Sequence, residues 1–258
     1  CGKSYLLFEI FTSYLKENGV KENHIISVDL EDFKNKPLRQ PENLYTYVES
    51  RMTDNDIYYI LLDEIQMLSE FEDVLNGFLR MPNTDIYVTG SNAKFLSKDI
   101  ATEFRGRGFE VKMYPLSFSE FMSAYQGSVQ AGFNEYMLYG GLPQILTYQN
   151  EEQKIRFLKA LFKETYIKDI KDRYNIKKDG DLEELINVIA SGIGALTNPN
   201  KLANTFKSEK KSPITYDTIK DYIEYLCDSF IIEKATRYDI KGKRYINTPF
   251  KYYFTDLG

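Results

Sequence analysis

Gly2-Lys3-Ser4 stands at the head of a segment, residues 4–18, in which Leu6, Leu7, Ile10, Phe11 and Tyr14 fall on one side of a helix closed by Gly19. A Gly-Lys-Ser turn opening a helix has a specific chemical use. Backbone N–H groups and the helix dipole can cradle phosphate, the Lys3 ammonium can neutralise β- and γ-phosphates, and the Ser4 hydroxyl can ligate Mg2+. The same residues also make an ordinary helix start, so a second motif is needed. Asp63-Glu64 supplies it at the end of the apolar run Ile57–Leu62. There Asp63 would hold Mg2+ and Glu64 would orient or deprotonate an attacking water. An acidic pair closing a strand can equally be a solvated turn. The order of the two motifs, each on the element it requires, favours ATP chemistry.

Two weaker constellations follow. Thr89-Gly90-Ser91-Asn92 closes the next apolar run and would lie beside Asp63 in a parallel sheet, with Asn92 or Ser91 as a candidate sensor of the γ-phosphate. It reads equally as a glycine turn with a helix cap. Glu103-Phe104-Arg105-Gly106-Arg107-Gly108 puts two arginines on a glycine-flexed loop, and Arg107 is favoured as the one aimed at developing phosphate charge. Most surface arginines have no such role.

These residues need a scaffold of alternating elements. Apolar runs at Ile25–Leu30, Ile57–Leu62, Ile86–Thr89 and Phe109–Tyr114 alternate with helical stretches at about 42–52, 68–81 and 92–99. The pattern predicts a parallel sheet with helices on both faces. After Pro115 only helices are expected, at Ser117–Tyr125 with Ser117 and Glu120 as a capping box, then at 132–139, 151–173 and 181–193. Helix 199–207, a turn at Ser208–Pro213, helix 215–228 and strands Phe230–Tyr238 and Lys251–Thr255 make a winged-helix pattern.

Composition narrows the classes. A chain of 258 residues with 43% hydrophobic side chains can bury one or two cores. No window approaches the ~18 apolar residues of a membrane helix, and no leader is seen, so a cytoplasmic location without membrane contact is expected. Two cysteines far apart and a single histidine, His24, argue against a disulfide framework or a Cys/His zinc site. His24 precedes Ile25-Ile26 and reads as a strand-edge residue. From Leu196 to Gly258, 11 Lys/Arg against 8 Asp/Glu leave +3 in a chain of net −5, which permits DNA contact without arguing for it.

Gly-Lys-Ser, Leu61-Leu62-Asp63-Glu64-Ile65-Gln66, Thr-Gly-Ser-Asn, Arg-Gly-Arg, Tyr114-Pro115-Leu116-Ser117-Phe118 and Tyr139-Gly140-Gly141-Leu142-Pro143 together resemble the bacterial and archaeal AAA+/STAND-like ATPases. The resemblance runs from Cys1 to Gly258. It implies an α/β P-loop NTPase sheet with its first strand truncated (1–115), an all-α lid with linker helices (116–180) and a winged-helix domain (181–258). In that family a restriction-endonuclease-like domain commonly follows. The implied activity is ATP hydrolysis with ATP and Mg2+ as cofactors, working as a nucleotide-driven switch. Gly2, Lys3, Ser4 and Pro143 would bind nucleotide, with Pro143 against the adenine. Ser4 and Asp63 would hold the metal, and Glu64, Asn92 and Arg107 would serve catalysis. The alternative is a regulatory module with a degenerate ATPase site, binding double-stranded DNA or a protein through residues 199–255. The acidic positions Asp217, Asp221 and Glu224 suit a major groove poorly. A homo-oligomer is compatible with either reading. The first half of the phosphate loop lies outside these residues, so a longer parent protein is expected, and this segment alone should bind nucleotide poorly.

Overall fold

Tyr58-Tyr59-Ile60-Leu61-Leu62 has no polar side to turn to water, which is the pattern of a strand covered on both faces. It is the middle strand of the three described in the sheet. The computed structural model of the chain describes residues 2–90, 104, 106–174, 176, 179–210, 214–236 and 249–258. By internal contacts they form two compact units, Cys1–Met113 and Tyr114–Gly258.

In the first unit, strands β1 (Ile25–Asp29), β2 (Tyr58–Asp63) and β3 (Thr84–Val88) pair in parallel in the order β1-β2-β3. Register sets Asp29 opposite Asp63 and Leu62 opposite Val88, so the strands finish level with one another. Helix α1 precedes them, α-helical over Lys3–Tyr5, π-helical over Leu6–Phe11 and α-helical again over Thr12–Glu17. Helix α2 (Pro41–Arg51) starts on a proline whose missing N–H costs nothing there, and it buries Leu44 and Val48. Helix α3 (Phe71–Phe78) buries Phe71, Val74, Leu75 and Phe78, the i, i+3, i+4, i+7 stripe of a helix lying on a core. These side chains pack in one cluster with Ile26, Val28, Ile60 and Leu62.

Two expectations fail or move here. Phe109–Tyr114 forms no strand, and Phe109 is 94% exposed. No described strand pairs with this segment, and an apolar run whose N–H and C=O groups find no ladder has no reason to settle as a strand. β3 begins at Thr84 and ends at Val88, which leaves Thr89 just beyond the strand. The helix expected at 92–99 lies outside the described residues.

Among its described residues the second unit is helical apart from one hairpin and an isolated bridge. Its helices are α4 (Phe118–Ala124), α5 (Val129–Tyr139), α6 (Glu151–Ala160, then π-helical over Leu161–Ile167 and α-helical over Lys168–Tyr174), α7 (Asp179–Ser191), α8 (Pro199–Lys210) and α9 (Tyr216–Asp228). Strands β4 (Ile232–Ala235) and β5 (Lys251–Phe254) pair antiparallel, and Thr197 bridges Phe250. The α8 helix runs on to Lys210, past Ser208, where a turn is expected from the sequence. The capping box of α4 forms as read, with the Glu120 N–H donating to Ser117 Oγ and the Ser117 N–H donating to the Glu120 carboxylate. Ile167 and Ile170 of α6 share one core with Leu185, Phe206, Ile219, Leu226 and Tyr252.

The glycine pair Gly140-Gly141 is the most constrained turn of this unit. Gly140 has φ 75, and the Gly141 N–H donates to Asp256 Oδ2 at 2.7 Å. The Leu116 N–H donates to the Gly141 carbonyl at 2.7 Å, and the Tyr136 hydroxyl donates to the Leu116 carbonyl at 2.8 Å. A Cβ on Gly141 would press into that Leu116 carbonyl, and one on Gly140 into the Asp256 carboxylate. Backbone and a fixed carboxylate cannot yield as a flexible side chain would. Gly141→Ala is therefore expected to destabilise the protein by about 1–3 kcal/mol, the cost of overpacking a tight site. The check is the midpoint of urea unfolding, which should fall with little change in slope.

Candidate functional site

The carboxyl ends of the three strands carry the groups that sequence singles out. Asp63 ends β2 and is 3% exposed, so its carboxylate must find donors locally. The Thr89 hydroxyl donates to Asp63 Oδ1. The Thr89 Oγ1 in turn accepts from the Glu64 N–H, at 3.5 Å. The Thr89 N–H donates to the Leu62 carbonyl at 2.9 Å, and the Ile65 N–H donates to the Thr89 carbonyl at 3.0 Å. One residue just past β3 thus stitches the end of β2 in place. On the other side the Leu30 N–H donates to the Asp63 carbonyl at 3.2 Å. Asp29, level with Asp63, turns its carboxylate into its own loop, where it accepts from the N–H groups of Glu31 and Asp32.

Glu64 is half-buried and has a left-handed backbone, φ 50 and ψ 47, an uncommon state for a residue with a Cβ. It opens the 3-10 turn Ile65–Met67, and the Met67 N–H donates back to the Glu64 carbonyl at 2.9 Å. That turn brings Gln66 alongside, and Gln66 Nε2 donates to Glu64 Oε2.

Lys3, the first residue of α1, donates from Nζ to the Gly90 carbonyl at 2.8 Å. Gly90 follows Thr89, so the Lys3 ammonium and the Asp63 carboxylate sit at the same end of the sheet, joined through two consecutive residues. Gly2 holds φ 90, and Ser4 is exposed next to Lys3. Lys3, Asp63 and Glu64 are therefore brought together.

Sequence also names Arg107, Asn92, Ser91 and Pro143. Arg107 is exposed and donates from Nη1 to Asn76 Oδ1 on α3 at 3.1 Å, a contact with neither Asp63 nor Glu64. Asn92 and Ser91 lie outside the described residues. Pro143 opens the 3-10 turn Pro143–Thr147 in the second unit. Sequence reasoning passed over Thr89 and Gln66 as partners of the acidic pair. The signal for Thr89 was its place just beyond a strand paired with β2. Nothing in the sequence announced the left-handed turn that presents Gln66.

Residues 1–122 match the family described as an AAA domain, and residues 130–258 match a family described as a Domain of unknown function (DUF8612). The second match takes in half of the chain. The chain belongs to the DUF8612 family. Ahead of that domain, the AAA-domain match contains Lys3, Asp63 and Glu64 and supports a P-loop ATPase family, hence a nucleotide-binding AAA+-like module. An uncharacterized protein of Haemophilus influenzae is 34% identical over 263 residues, covering 100% of this chain and 65% of its own. Uncharacterized protein MJ1544 of Methanocaldococcus jannaschii is 26% identical, covering 94% of this chain and 56% of its own. The chain thus spans just under two thirds of one relative and just over half of the other. Among solved structures, the Aeropyrum pernix Orc1 protein in complex with DNA aligns over 98% of this chain and 80% of that one, at 11% identity and a TM-score of 0.35. No helix among the described residues is long and apolar enough to cross a membrane.

The Thr89 hydroxyl is the described side-chain donor to Asp63. Thr89→Val keeps the shape of the side chain and removes the donor. It is expected to cost about 1.5–3 kcal/mol, the range for a hydrogen bond to a charged group, because a buried carboxylate is left short of a partner. Chemical denaturation of the variant beside wild type measures it.

Proposed function

We propose that the parent protein is a Mg2+-dependent ATPase of AAA+ type that works as a nucleotide-driven switch. One observation carries the reading. A lysine ammonium at the head of a helix and a buried carboxylate at the end of the central strand share one end of the sheet, linked through Thr89 and Gly90. A phosphate needs the first, and a hard cation with oxygen ligands fits the second. One Asp63 oxygen is held by Thr89, which leaves the other for a ligand, and the Ser4 hydroxyl is exposed beside Lys3.

In this proposal Gly2 and Lys3 bind the phosphates, with the Lys3 ammonium exchanging the Gly90 carbonyl for phosphate oxygen. Ser4 and Asp63 hold Mg2+, which when bound would draw charge off the phosphate oxygens. Glu64 orients the attacking water and takes its proton. Asn92 as γ-phosphate sensor, Arg107 as arginine finger and Pro143 as adenine contact extend the same proposal. For Arg107 that role requires release from Asn76. We place the core at 1–115, the lid and linker helices at 116–180 and a winged helix at 181–258, with nucleotide state coupled to the last. The sequence of helices α8 and α9 followed by the β4–β5 hairpin supports the winged-helix part.

The test uses the full-length protein. Lys3→Ala is expected to weaken ATP binding about 10–100-fold, the equivalent of one charged hydrogen bond. Glu64→Gln is expected to keep ATP binding and to lose about 10²–10⁴-fold in turnover, the usual share of a general base. Wild-type turnover in both variants would overturn the reading.

The second reading is a regulatory module that binds through residues 199–255. The face of α9 bearing Asp217, Lys220, Asp221 and Glu224 favours a protein partner over DNA. Titration with duplex DNA at rising salt is expected to give no salt-sensitive complex, and a steep salt slope would move the reading to DNA.

A further inference from the structure

The Gln66 amide is arranged at a cost that packing does not explain. Its Nε2 donates to Glu64 Oε2, while its Oε1 is buried with no hydrogen-bond partner among the described residues. The orientation is forced. Turning the amide over would set its oxygen against a carboxylate oxygen, two acceptors with no proton between them. Nitrogen must therefore face Glu64, and the carbonyl is stranded on the dry side. A methionine would fill nearly the same volume without leaving a polar atom unsatisfied. Glu64 adds a second cost of the same kind, since its left-handed φ of 50 is what starts the turn and brings residue 66 beside residue 64. Two local penalties thus converge on one result, a Glu64 carboxylate gripped by a neutral donor.

We infer that Gln66 is the positioning residue for Glu64, its amide fixing the carboxylate in the orientation from which Glu64 addresses the attacking water. The inference rests on the ATPase reading above, in which Glu64 is the base. Gln66 touches neither nucleotide nor metal in this role; it acts through Glu64 alone. Its removal should consequently be felt in the chemical step and not in nucleotide binding. Because the stranded carbonyl goes with it, stability should move the opposite way to activity, which a purely structural residue cannot do.

Steady-state ATP hydrolysis and thermal unfolding of the full-length protein test this with three variants. Gln66→Met is expected to lower kcat about tenfold, the worth of one hydrogen bond to a charged group. Its KM for ATP should stay within about twofold, and its Tm should equal or exceed that of wild type. Gln66→Glu, which places an acceptor where the donor was, is expected to lose more kcat than Gln66→Met. The inference is overturned if Gln66→Met keeps wild-type kcat, if its kcat and Tm fall together, or if KM rises by as much as kcat falls. Glu64→Gln separates this from the broader reading. If that variant loses turnover while Gln66→Met does not, only the positioning role is wrong. If it keeps turnover, the ATPase assignment of Glu64 fails and takes the role of Gln66 with it.

Discussion

Asp63 is a carboxylate at the end of a strand with almost no access to water, and much of the first unit follows from keeping it satisfied. Its donor has to come from a neighbouring strand, so β3 must stop at Val88 for the Thr89 hydroxyl to arrive in place. β2 must be central and apolar to bury the carboxylate in the first place, and the register of all three strands must finish level. The next residue, Gly90, then offers its carbonyl to Lys3. A charge pattern suited to phosphate and metal thus emerges from a demand of burial.

At the foot of the same strands a different solution appears. His24 is 4% exposed, its ring lies 4.6 Å from that of Tyr58, and its Nε2 is 3.0 Å from Asp54 Oδ2. The Tyr58 hydroxyl in turn accepts from the Thr53 N–H at 2.9 Å. The single histidine of the chain is therefore a satisfied core residue one position before β1, which fits its reading as part of the strand edge more than any catalytic use.

The central strand and its acidic pair were readable because their physics is local. An unbroken apolar run means burial on two faces, and Asp-Glu after it means charge at a strand end. Helices α3 and α9 were expected at 68–81 and 215–228, and both form there with apolar residues buried at helical spacing. Thr89 was not, since choosing it over Ser91 or Asn92 needs the register of β3 against β2, which no single strand encodes. Gln66 depends on a non-glycine residue taking a left-handed turn, a state sequence does not advertise. Phe109–Tyr114 misled because apolar character says nothing about whether a neighbour exists to complete a ladder. Arg107 bonds an asparagine of α3 that lies 31 residues earlier, a tertiary fact invisible to motif reading.

The turn at Gly140-Gly141 has a topological consequence for the second unit. Leu116 and Asp256, far apart along the chain, both bond Gly141. Two segments distant in sequence are therefore fastened at a single glycine. A force that draws Leu116 away from Asp256 has to part the Gly141 bonds, whereas Phe206 and Leu226 belong to a separate core cluster.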